Sequence, residues 1–411
     1  MTQASTRRTF TFLSIYLTFF VDSLAWAVVF PIFAPYFLDT KSPLFSQETA
    51  AGTRSMVLGF FLMAFSLGQF IGCPLIGEYA DKHGRKKALG ISVFFTLVGL
   101  AATALSIENN HLYFLFVSRL ITGIFASNTT VCLSCISDLS HTEHAKAKHF
   151  GTLSMIAGIS FVIGAFLGGK LSDKTISLNF SPSLPLWLAA ALTSMNFLFI
   201  LFGFRETAST HPSLRFHFLE AFTHIKLALK THRIKRIYTV YFLFLFSWTI
   251  LFQFIPVLTV EKFFYTSSNI GDLALFMGLC WAIGSGYINQ ALLHRIDSGL
   301  VLELCLIGFT TSCALVVFPS HVYGVIGLVG LCVVIGAVAW PICTSLISNM
   351  APKEMQGKVM GLSQSVQSLA MTLAPAIGGI AFQSSSHLPF FIAASVSFLA
   401  VVIYYFVLKQ R

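Results

Sequence analysis

Twelve long apolar runs, separated by short polar segments, constrain the fold of this chain more than any other feature. Each run has about the 20 residues that a helix needs to cross a hydrocarbon core roughly 30 Å thick. Lipid offers no partner for an unpaired peptide group, so runs of this kind are expected to be helical. The sequence predicts an all-α polytopic membrane protein. Its twelve spans, numbered 1 to 12, lie at residues 10–37, 55–79, 87–106, 112–135, 150–171, 185–204, 237–260, 271–293, 299–319, 322–347, 358–382 and 388–408.

Composition and motifs exclude several functional classes. Only 10% of the residues are charged, against about 25% in a soluble domain. No phosphate-binding loop, pair of catalytic carboxylates, or nucleophile with a supporting base stands outside the spans, so we do not expect an enzyme. Cys132 and Cys135 form a CxxC within span 4, with no nearby His or second CxxC. They are interpreted as packing residues, and neither a metal nor a cofactor is predicted.

The distribution of cations predicts the orientation. If the N-terminus is cytoplasmic, most of the 26 Lys and Arg residues fall in cytoplasmic segments, as is typical of membrane proteins. Both termini are then cytoplasmic, and the net charge of +10 reflects topology rather than nucleic-acid binding. Span 1 is interpreted as a retained helix rather than a signal peptide, because it is long and contains Asp22.

A long basic segment divides the chain into similar halves. The predicted domains are residues 1–204, a linker at 205–236 and residues 237–411. Linker apolar residues recur at helical spacing opposite cations, which favours an amphipathic helix on the membrane surface over a loosely ordered loop. The stretch at 137–151 aligns with 348–361 with one gap, and GAFLGG at 164–169 then falls on APAIGG at 374–379. Such repeats are typical of transporters that rock two bundles about a central site.

Three motifs carry a resemblance to a known family. Between spans 2 and 3 the chain reads GEYADKHGRKK. Spans 4 and 5 contain SRLITGIFA and GAFLGG. On these motifs the chain resembles the major facilitator superfamily, in the twelve-helix drug:proton antiporter branch that includes tetracycline exporters. The matching residues are Gly77, Asp81, Gly84, Arg85 and Lys86, then Arg119 and Gly123, and then Gly164, Gly168 and Gly169. The departures are Tyr79, Lys82, Thr122 and Ala165, the last standing where antiporters have a Pro that appears here at Pro375 instead.

The resemblance implies an architecture and a gate. It implies twelve transmembrane helices in two pseudo-symmetric six-helix bundles, with spans 1, 4, 7 and 10 around a central cavity. It also implies that Asp81 faces the N-terminus of span 11 near Gly361, and that Arg85 pairs with Asp138, when the cytoplasmic side is closed. The alternative is that these charges serve topology alone.

Two charged residues in the spans are candidates for the chemistry. A carboxylate at mid-membrane costs about 2.5–3.5 kcal/mol on insertion scales, so Asp22 is expected to face a cavity, a cation or a proton. Its predicted role is proton or substrate coupling, with a structural hydrogen-bond anchor as the alternative. Arg119 is predicted to relay protons or bind an anion, or else to brace the span 4 motif. An aromatic and amide-lined wall, with packing as its alternative, is predicted from Trp26, Trp248, Gln253, Trp340, Gln364 and Gln367.

Small residues predict close helix contacts. Glycines in span 5 allow backbones to approach closely, which predicts a sliding surface against span 8, or ordinary packing within one half. These residues are Gly158, Gly164, Gly168 and Gly169, with span 11 counterparts Pro375, Gly378 and Gly379.

The function predicted from these features is proton-coupled secondary transport of a small organic solute by alternating access, with efflux by antiport favoured. The alternatives are uptake of a nutrient or an anionic metabolite such as a siderophore, a non-transporting membrane sensor, and a lipid flippase. The expected partners are a small-molecule substrate, protons and membrane lipids. A monomer in a bacterial inner membrane is expected.

Overall fold

The computed structural model describes residues 3–126, 128–139, 142–207, 232–349 and 356–409. Twelve of its helical segments are long and apolar enough to cross a membrane, which confirms the predicted number of spans. Residues 208–231 of the linker lie outside the described residues, so its amphipathic helix stays a prediction. The segments are Phe10–Leu38, Ala51–His83, Arg85–Glu108, Leu112–Leu139, Lys148–Ser172, Leu184–Gly203, Lys235–Phe263, Ser267–Leu293, Ser298–Leu315, Val322–Ile347, Leu362–Ser384 and Leu388–Phe406.

Eight spans are formed by single helices. In chain order, spans 2, 3, 5, 6, 7, 9, 10 and 11 are Ala51–His83, Arg85–Glu108, Glu143–Ser172, Leu184–Gly203, His232–Phe263, Ser298–Leu315, Val322–Asn349 and Gln356–Ser384. Several of them are longer than the apolar runs, because helical hydrogen bonds continue into the polar residues outside the hydrocarbon.

The other four spans contain more than one helix. Span 1 consists of Gln3–Val28 and Phe33–Leu38, and span 4 of Leu112–Phe125 and Asn128–Leu139. In span 8, a π-helical turn at Ile283–Ile288 joins Ser267–Ala282 to Asn289–Leu293. Span 12 is Leu388–Ile403, followed by a π-helical turn at Tyr404–Lys409.

The interruption in span 1 has a cause in the sequence, whereas that in span 4 does not. Pro31 stands between the two helices of span 1, and a proline has no N–H to donate to the preceding turn. In span 4 the backbone leaves the helical region at Ala126, where ψ is 38°. No proline marks that position.

The spans assemble into two groups of six. Span 1 packs against spans 4, 5 and 6, and span 4 also packs against spans 2 and 3. The second group repeats this pattern, since span 7 packs against spans 10, 11 and 12. The groups meet where span 2 contacts span 11 and span 5 contacts span 8. This arrangement confirms the predicted class of two six-helix bundles.

Candidate functional site

A cavity of about 1880 Å³ lies between the two bundles. We call the membrane face at which span 1 begins the N-terminal side, and the other face the opposite side. The cavity extends from Phe33, within span 1, to Glu78 and Asp81, near the end of span 2 on the N-terminal side. All eight residues that the sequence suggested for a cavity line it: Asp22, Trp26, Arg119, Trp248, Gln253, Trp340, Gln364 and Gln367.

Asp22 is bonded to span 4. The Nδ2 atom of Asn128 donates a hydrogen bond of 2.9 Å to Oδ1 of Asp22. The Asn128 side chain is only 1% exposed, and its Oδ1 atom has no hydrogen-bond partner among the described residues. Asn128 did not appear among the sequence candidates, although a polar residue in the middle of a span is the same signal that identified Asp22.

Arg119 is held by aromatic rings. It is 4% exposed, and its guanidinium carbon lies 4.5 Å from the ring centre of Phe65 and 5.8 Å from that of Phe33. Its Nε atom has no hydrogen-bond partner within the described ranges. Such contacts offset part of the cost of a buried cation. The ion pairs of the described residues do not include one between Arg119 and Asp22.

The second bundle supplies most of the aromatic wall. Trp281 lies between two of the predicted residues, with its ring centre 5.3 Å from that of Trp248 and 5.9 Å from that of Trp340. From the first bundle, Trp26 stacks on Phe252 of span 7 at 6.2 Å. The wall therefore crosses between the bundles. Trp281 could not be selected from the sequence, because uniformly apolar spans do not reveal which face meets the cavity.

Unpaired amide oxygens complete the lining. Oε1 of Gln253 and Oδ1 of Asn289 are both buried without a hydrogen-bond partner among the described residues. Asn289 follows the π-helical turn of span 8, and Ser285 and Gly286 within that turn also line the cavity. Single π-helical turns are frequent at functional sites. The cavity thus offers hydrogen-bonding groups on an otherwise apolar surface, the usual character of a small-molecule site.

The turn between spans 2 and 3 carries an ion-pair network. Arg85 donates from Nε to Oδ2 of Asp138 at 3.2 Å, and its Nη1 atom lies 2.6 Å from Oδ1 of Asp81. The carboxylate of Glu206, just beyond span 6, accepts hydrogen bonds from the backbone N–H groups of Arg85 and Lys86 at 2.7 and 3.1 Å. Glu206 therefore caps the N-terminus of span 3, where negative charge is favourable. The sequence had not suggested Glu206.

Gly84 is required by this geometry. Its φ is +97°, a conformation that side chains with a Cβ rarely adopt. A Cβ at this position would also lie 2.8 Å from Cδ of Glu206. Gly77, by contrast, has only an ordinary contact nearby. Asp81 lines the cavity. Its contact with span 11 near Gly361 stays a prediction, because the side chains of residues 356–361 lie outside the described ones.

On the opposite side, spans 5 and 8 are joined by charged groups. Lys170 donates to Oδ2 of Asp272 and to Oγ of Ser268, both at 2.8 Å. Asp173, which is 6% exposed, accepts from the backbone N–H of Ser268 at 3.1 Å. Burial raises the pKa of Asp173, but its hydrogen bonds lower it more, and the net pKa lies below the ordinary value. We call Lys170, Asp173, Ser268 and Asp272 the opposite-side lock.

The span 5 glycines have different neighbours. A Cβ on Gly169 would lie 2.8 Å from Cα of Gly271 in span 8, so this contact joins the bundles. A Cβ on Gly164 or Gly168 would instead contact the backbone of span 1, so these two glycines pack within one bundle. Gly158 has nothing within 4 Å of a Cβ and lines the cavity.

The span 11 residues are divided in the same way. A Cβ on Gly378 would meet the ring of Phe254 in the same bundle. Gly379 contacts Gly59 of span 2. A Cβ added to Gly59 would lie against the carbonyl oxygen of Pro375. Gly59, Pro375 and Gly379 therefore join the two bundles, as Gly169 and Gly271 do.

Two bundles of six spans around a central cavity, joined through two pairs of helices, define a polytopic membrane protein of the transporter class. The family model of the Major Facilitator Superfamily matches residues 15–337 and 291–411. The chain belongs to this superfamily, and its membership indicates a transporter rather than an enzyme.

Individual proteins agree with this assignment. The chain is 24% identical to the tetracycline resistance protein, class H, of Pasteurella multocida over 86% of this chain and 84% of that protein. It is 26% identical to the quinolone resistance protein NorA of Staphylococcus aureus over 95% and 94% of the two chains. The human organic anion transporter MFSD10 has a similar fold, with a TM-score of 0.71, 19% identity and coverage of 97% and 99%. The predicted resemblance to tetracycline-exporter-like members is thereby confirmed.

Proposed function

We propose that the protein is a proton-coupled transporter that exports a small organic compound by antiport, with Asp22 as the proton carrier. The observation that carries this proposal is a carboxylate in a cavity between two bundles whose described lining residues reach the N-terminal end of the spans. Protonation of Asp22 removes a charge from a largely apolar surface, so proton binding and cavity closure are energetically linked. The similarity to resistance proteins favours export.

The residues around the cavity suggest how substrate and proton share it. Trp26, Trp248, Trp281 and Trp340 offer flat apolar surfaces, and the unpaired amides of Gln253 and Asn289 offer hydrogen bonds. Asp22 lies on the first bundle, within the same cavity. In this proposal, a substrate bound against the tryptophans is released when the cavity opens on the opposite side and Asp22 takes up a proton.

The expected topology completes the proposal. The N-terminal side corresponds to the cytoplasm, since most Lys and Arg residues lie there. Both termini are then cytoplasmic, and residues 205–236 link the N-terminal and C-terminal bundles. The two resistance proteins to which the chain is similar come from bacteria, which supports a bacterial inner membrane. We propose a monomer, because the two bundles and the described residues that line the cavity between them belong to one chain.

Asp22→Asn tests the proton step. We expect the variant to bind substrate but to lose transport driven by an imposed pH gradient, because the amide cannot release a proton. The measurement is uptake of tetracycline or a quinolone by proteoliposomes, chosen after a thermal-shift screen for stabilising ligands. Glu303→Gln is the matched control, since Glu303 is a buried acid of span 9 that does not line the cavity. Gradient-driven transport by Asp22→Asn at the wild-type rate would refute the assignment.

Uptake is the second candidate direction, favoured by one observation. Arg119 is a cavity-lining cation without an ion pair among the described residues, which suits an anionic solute. Reversing the imposed pH gradient separates the two directions. In antiport, substrate accumulates on the more acidic side, whereas in symport it moves with protons to the more alkaline side.

The turn between spans 2 and 3 is proposed to be the cytoplasmic gate. When that side closes, Asp81 would leave the cavity and face the N-terminus of span 11. Asp81→Asn is therefore expected to favour the state that is open to the cytoplasm, seen as faster alkylation of cavity-lining Cys73. Glu48→Gln, an acid in the loop between spans 1 and 2, is the control. Unchanged Cys73 alkylation in Asp81→Asn would contradict the gating role.

A further inference from the structure

The second helix of span 4, Asn128–Leu139, touches both the proposed proton site and the proposed gate. We call it the lower half-helix. Its first residue donates the hydrogen bond to Asp22. Its last turn contains Asp138, which accepts from Arg85. The two residues are separated by ten positions, or about 15 Å at 1.5 Å per residue.

The contact at Asn128 can respond to a proton. With Asp22 ionised, the carboxylate accepts one hydrogen bond, and Oδ1 of Asn128 is left buried and unpartnered among the described residues. An unsatisfied buried acceptor is unfavourable by about 1–3 kcal/mol. A protonated Asp22 carries an O–H group, which can donate a hydrogen bond to the unpartnered Oδ1 of Asn128. The amide would then form two hydrogen bonds with the acid instead of one.

The lower half-helix is packed against its own bundle as one continuous segment. Four of its side chains are buried in a cluster with residues of spans 1, 2, 3, 5 and 6: Val131, Cys132, Cys135 and Ile136. Before its first residue in the chain, the backbone leaves the helical conformation at Ala126. These buried side chains fix the lower half-helix to its neighbours. The non-helical backbone at Ala126 separates it from the first helix of span 4, which carries Arg119. A shift at Asn128 would reach Asp138 through the helix itself.

Few other charged groups face Asp22. On the lower half-helix, the thiol of Cys132 lies close enough to interact electrostatically with it. The same cavity is lined by Arg119, on the first helix of span 4, and by Glu78 and Asp81 of span 2. Spans 5 and 6 also pack against span 1. Residues 150–169 and 184–203 of these spans contain no Asp, Glu, Lys, Arg or His, and His149 of span 5 shares a hydrogen bond with Tyr16, six residues before Asp22 on span 1. Span 7 contacts the second helix of span 1, Phe33–Leu38, and the span 7 residues that line the cavity are uncharged.

We propose that the lower half-helix transmits the protonation state of Asp22 to the Arg85–Asp138 ion pair, with Asn128 as the positioning residue that joins them. This proposal rests on the proposed function, in which Asp22 carries the proton. Protonation changes the number of hydrogen bonds at Asn128, the half-helix shifts, and the ion pair at its other end responds. Proton binding thereby biases the cytoplasmic gate without a charge crossing the intervening distance.

The test measures the opening of the cavity as a function of pH. Cys73 lines the cavity and is partly exposed, so its alkylation by a membrane-impermeant maleimide reports access from the N-terminal side. The full-length protein in nanodiscs is labelled over a range of pH. Each rate is divided by that of Asp22→Asn at the same pH, which cancels the ionisation of the thiol itself. The wild-type ratio is expected to change with pH.

Asn128→Ala is expected to make this ratio independent of pH. Asp138→Asn, which breaks the other end, is expected to do the same and provides a second route if Asn128→Ala does not fold. Asn196→Ala is the matched control. Asn196 is 2% exposed and accepts a 3.1 Å hydrogen bond from Thr18 of span 1, but it lies on span 6. It should retain the wild-type pH dependence.

The outcomes separate this proposal from the one on which it rests. A wild-type pH response in Asn128→Ala would overturn the role of the half-helix and leave Asp22 as the proton carrier. A flat response in Asn196→Ala would also overturn it, because any loosening of span 1 would then suffice. A wild-type ratio that does not vary with pH would refute the proton role of Asp22, and the half-helix proposal with it.

Discussion

Replacing Gly59 by leucine is expected to leave the protein folded but unable to transport, with its cavity shut on the N-terminal side. Gly59 lies in span 2 where the two bundles meet. A Cβ there would lie against the carbonyl oxygen of Pro375 and 2.7 Å from Cα of Gly379. Backbone atoms cannot rotate aside as a flexible side chain can. The substitution therefore excludes the conformation in which spans 2 and 11 are in contact on the opposite side.

The excluded contact joins the bundles, so the chain can escape the clash by rocking them apart. In the alternative state the opposite side is open and the N-terminal side is closed. Alkylation of Cys73 from the N-terminal side should then fall at least tenfold, which corresponds to a shift of about 1.4 kcal/mol between the two states. Proteoliposome flux should be lost, while the unfolding temperature remains measurable.

Two other leucine substitutions make the result interpretable. Gly90 has nothing within 4 Å of a Cβ, so Gly90→Leu should transport normally. A Cβ on Gly72 would lie 2.7 Å from Cα of Ile124, in the same bundle. That contact persists in both states, so Gly72→Leu should fail to fold. Normal Cys73 alkylation in folded Gly59→Leu would show that the two bundles do not separate at this contact.

Asp173→Asn is expected to open the opposite side. Its carboxylate accepts the N–H of Ser268 at the start of span 8, so a negative charge from one bundle caps a helix of the other. Hydrogen bonds to charged groups contribute about 1.5–3 kcal/mol. Loss of the charge should move the ratio of the two states by about tenfold. A cysteine placed at Ser268 should become reactive from the opposite side, and Cys73 less reactive from the N-terminal side.

The pH dependence of the opposite-side lock has a definite sign. The pKa of Asp173 is lowered in the closed arrangement, so its contribution is complete above the ordinary pKa of an aspartate. It is lost as the pH falls through the lowered pKa. The opposite side should therefore remain locked through the neutral range and loosen when the pH falls below the ordinary pKa of an aspartate. Asp173→Asn should remove that acid response.

Lys174→Ala is the control for the lock, because Lys174 is an exposed cation next to Asp173 along the chain. It should leave both accessibilities unchanged. If Asp173→Asn and Lys174→Ala behave alike, the carboxylate does not hold the bundles together. The lock would then consist of Lys170, Asp272 and the packing of Gly169 against Gly271.

The sequence predicted the spans well because membrane crossing depends on local properties. Apolar length and the concentration of charge at 77–87 are visible without knowing any partner. The residues suggested for the cavity, among them Asp22 and Gln253, were selected because a polar or amphipathic side chain in lipid needs a sheltered position. They share one cavity in the structure, while their roles remain predictions.

Other features could not be predicted because they depend on how helices face each other. Gly164 and Gly169 look equivalent in the sequence, yet one meets span 1 and the other span 8. Glu206 caps span 3 from a position 120 residues away. The interruption of span 4 near Ala126 could not be predicted, because no proline lies at that position in the sequence.

By itself the sequence determined that this chain crosses a membrane twelve times, that its halves are related, and that a charged turn joins spans 2 and 3. Only the tertiary structure decided that Asn128 pairs with Asp22, that Trp281 completes the aromatic wall, and which glycines join the bundles. The physical reason is that these spans are apolar on every side. Lipid-facing and protein-facing surfaces have nearly the same composition, so the partner of each face is set by packing between helices.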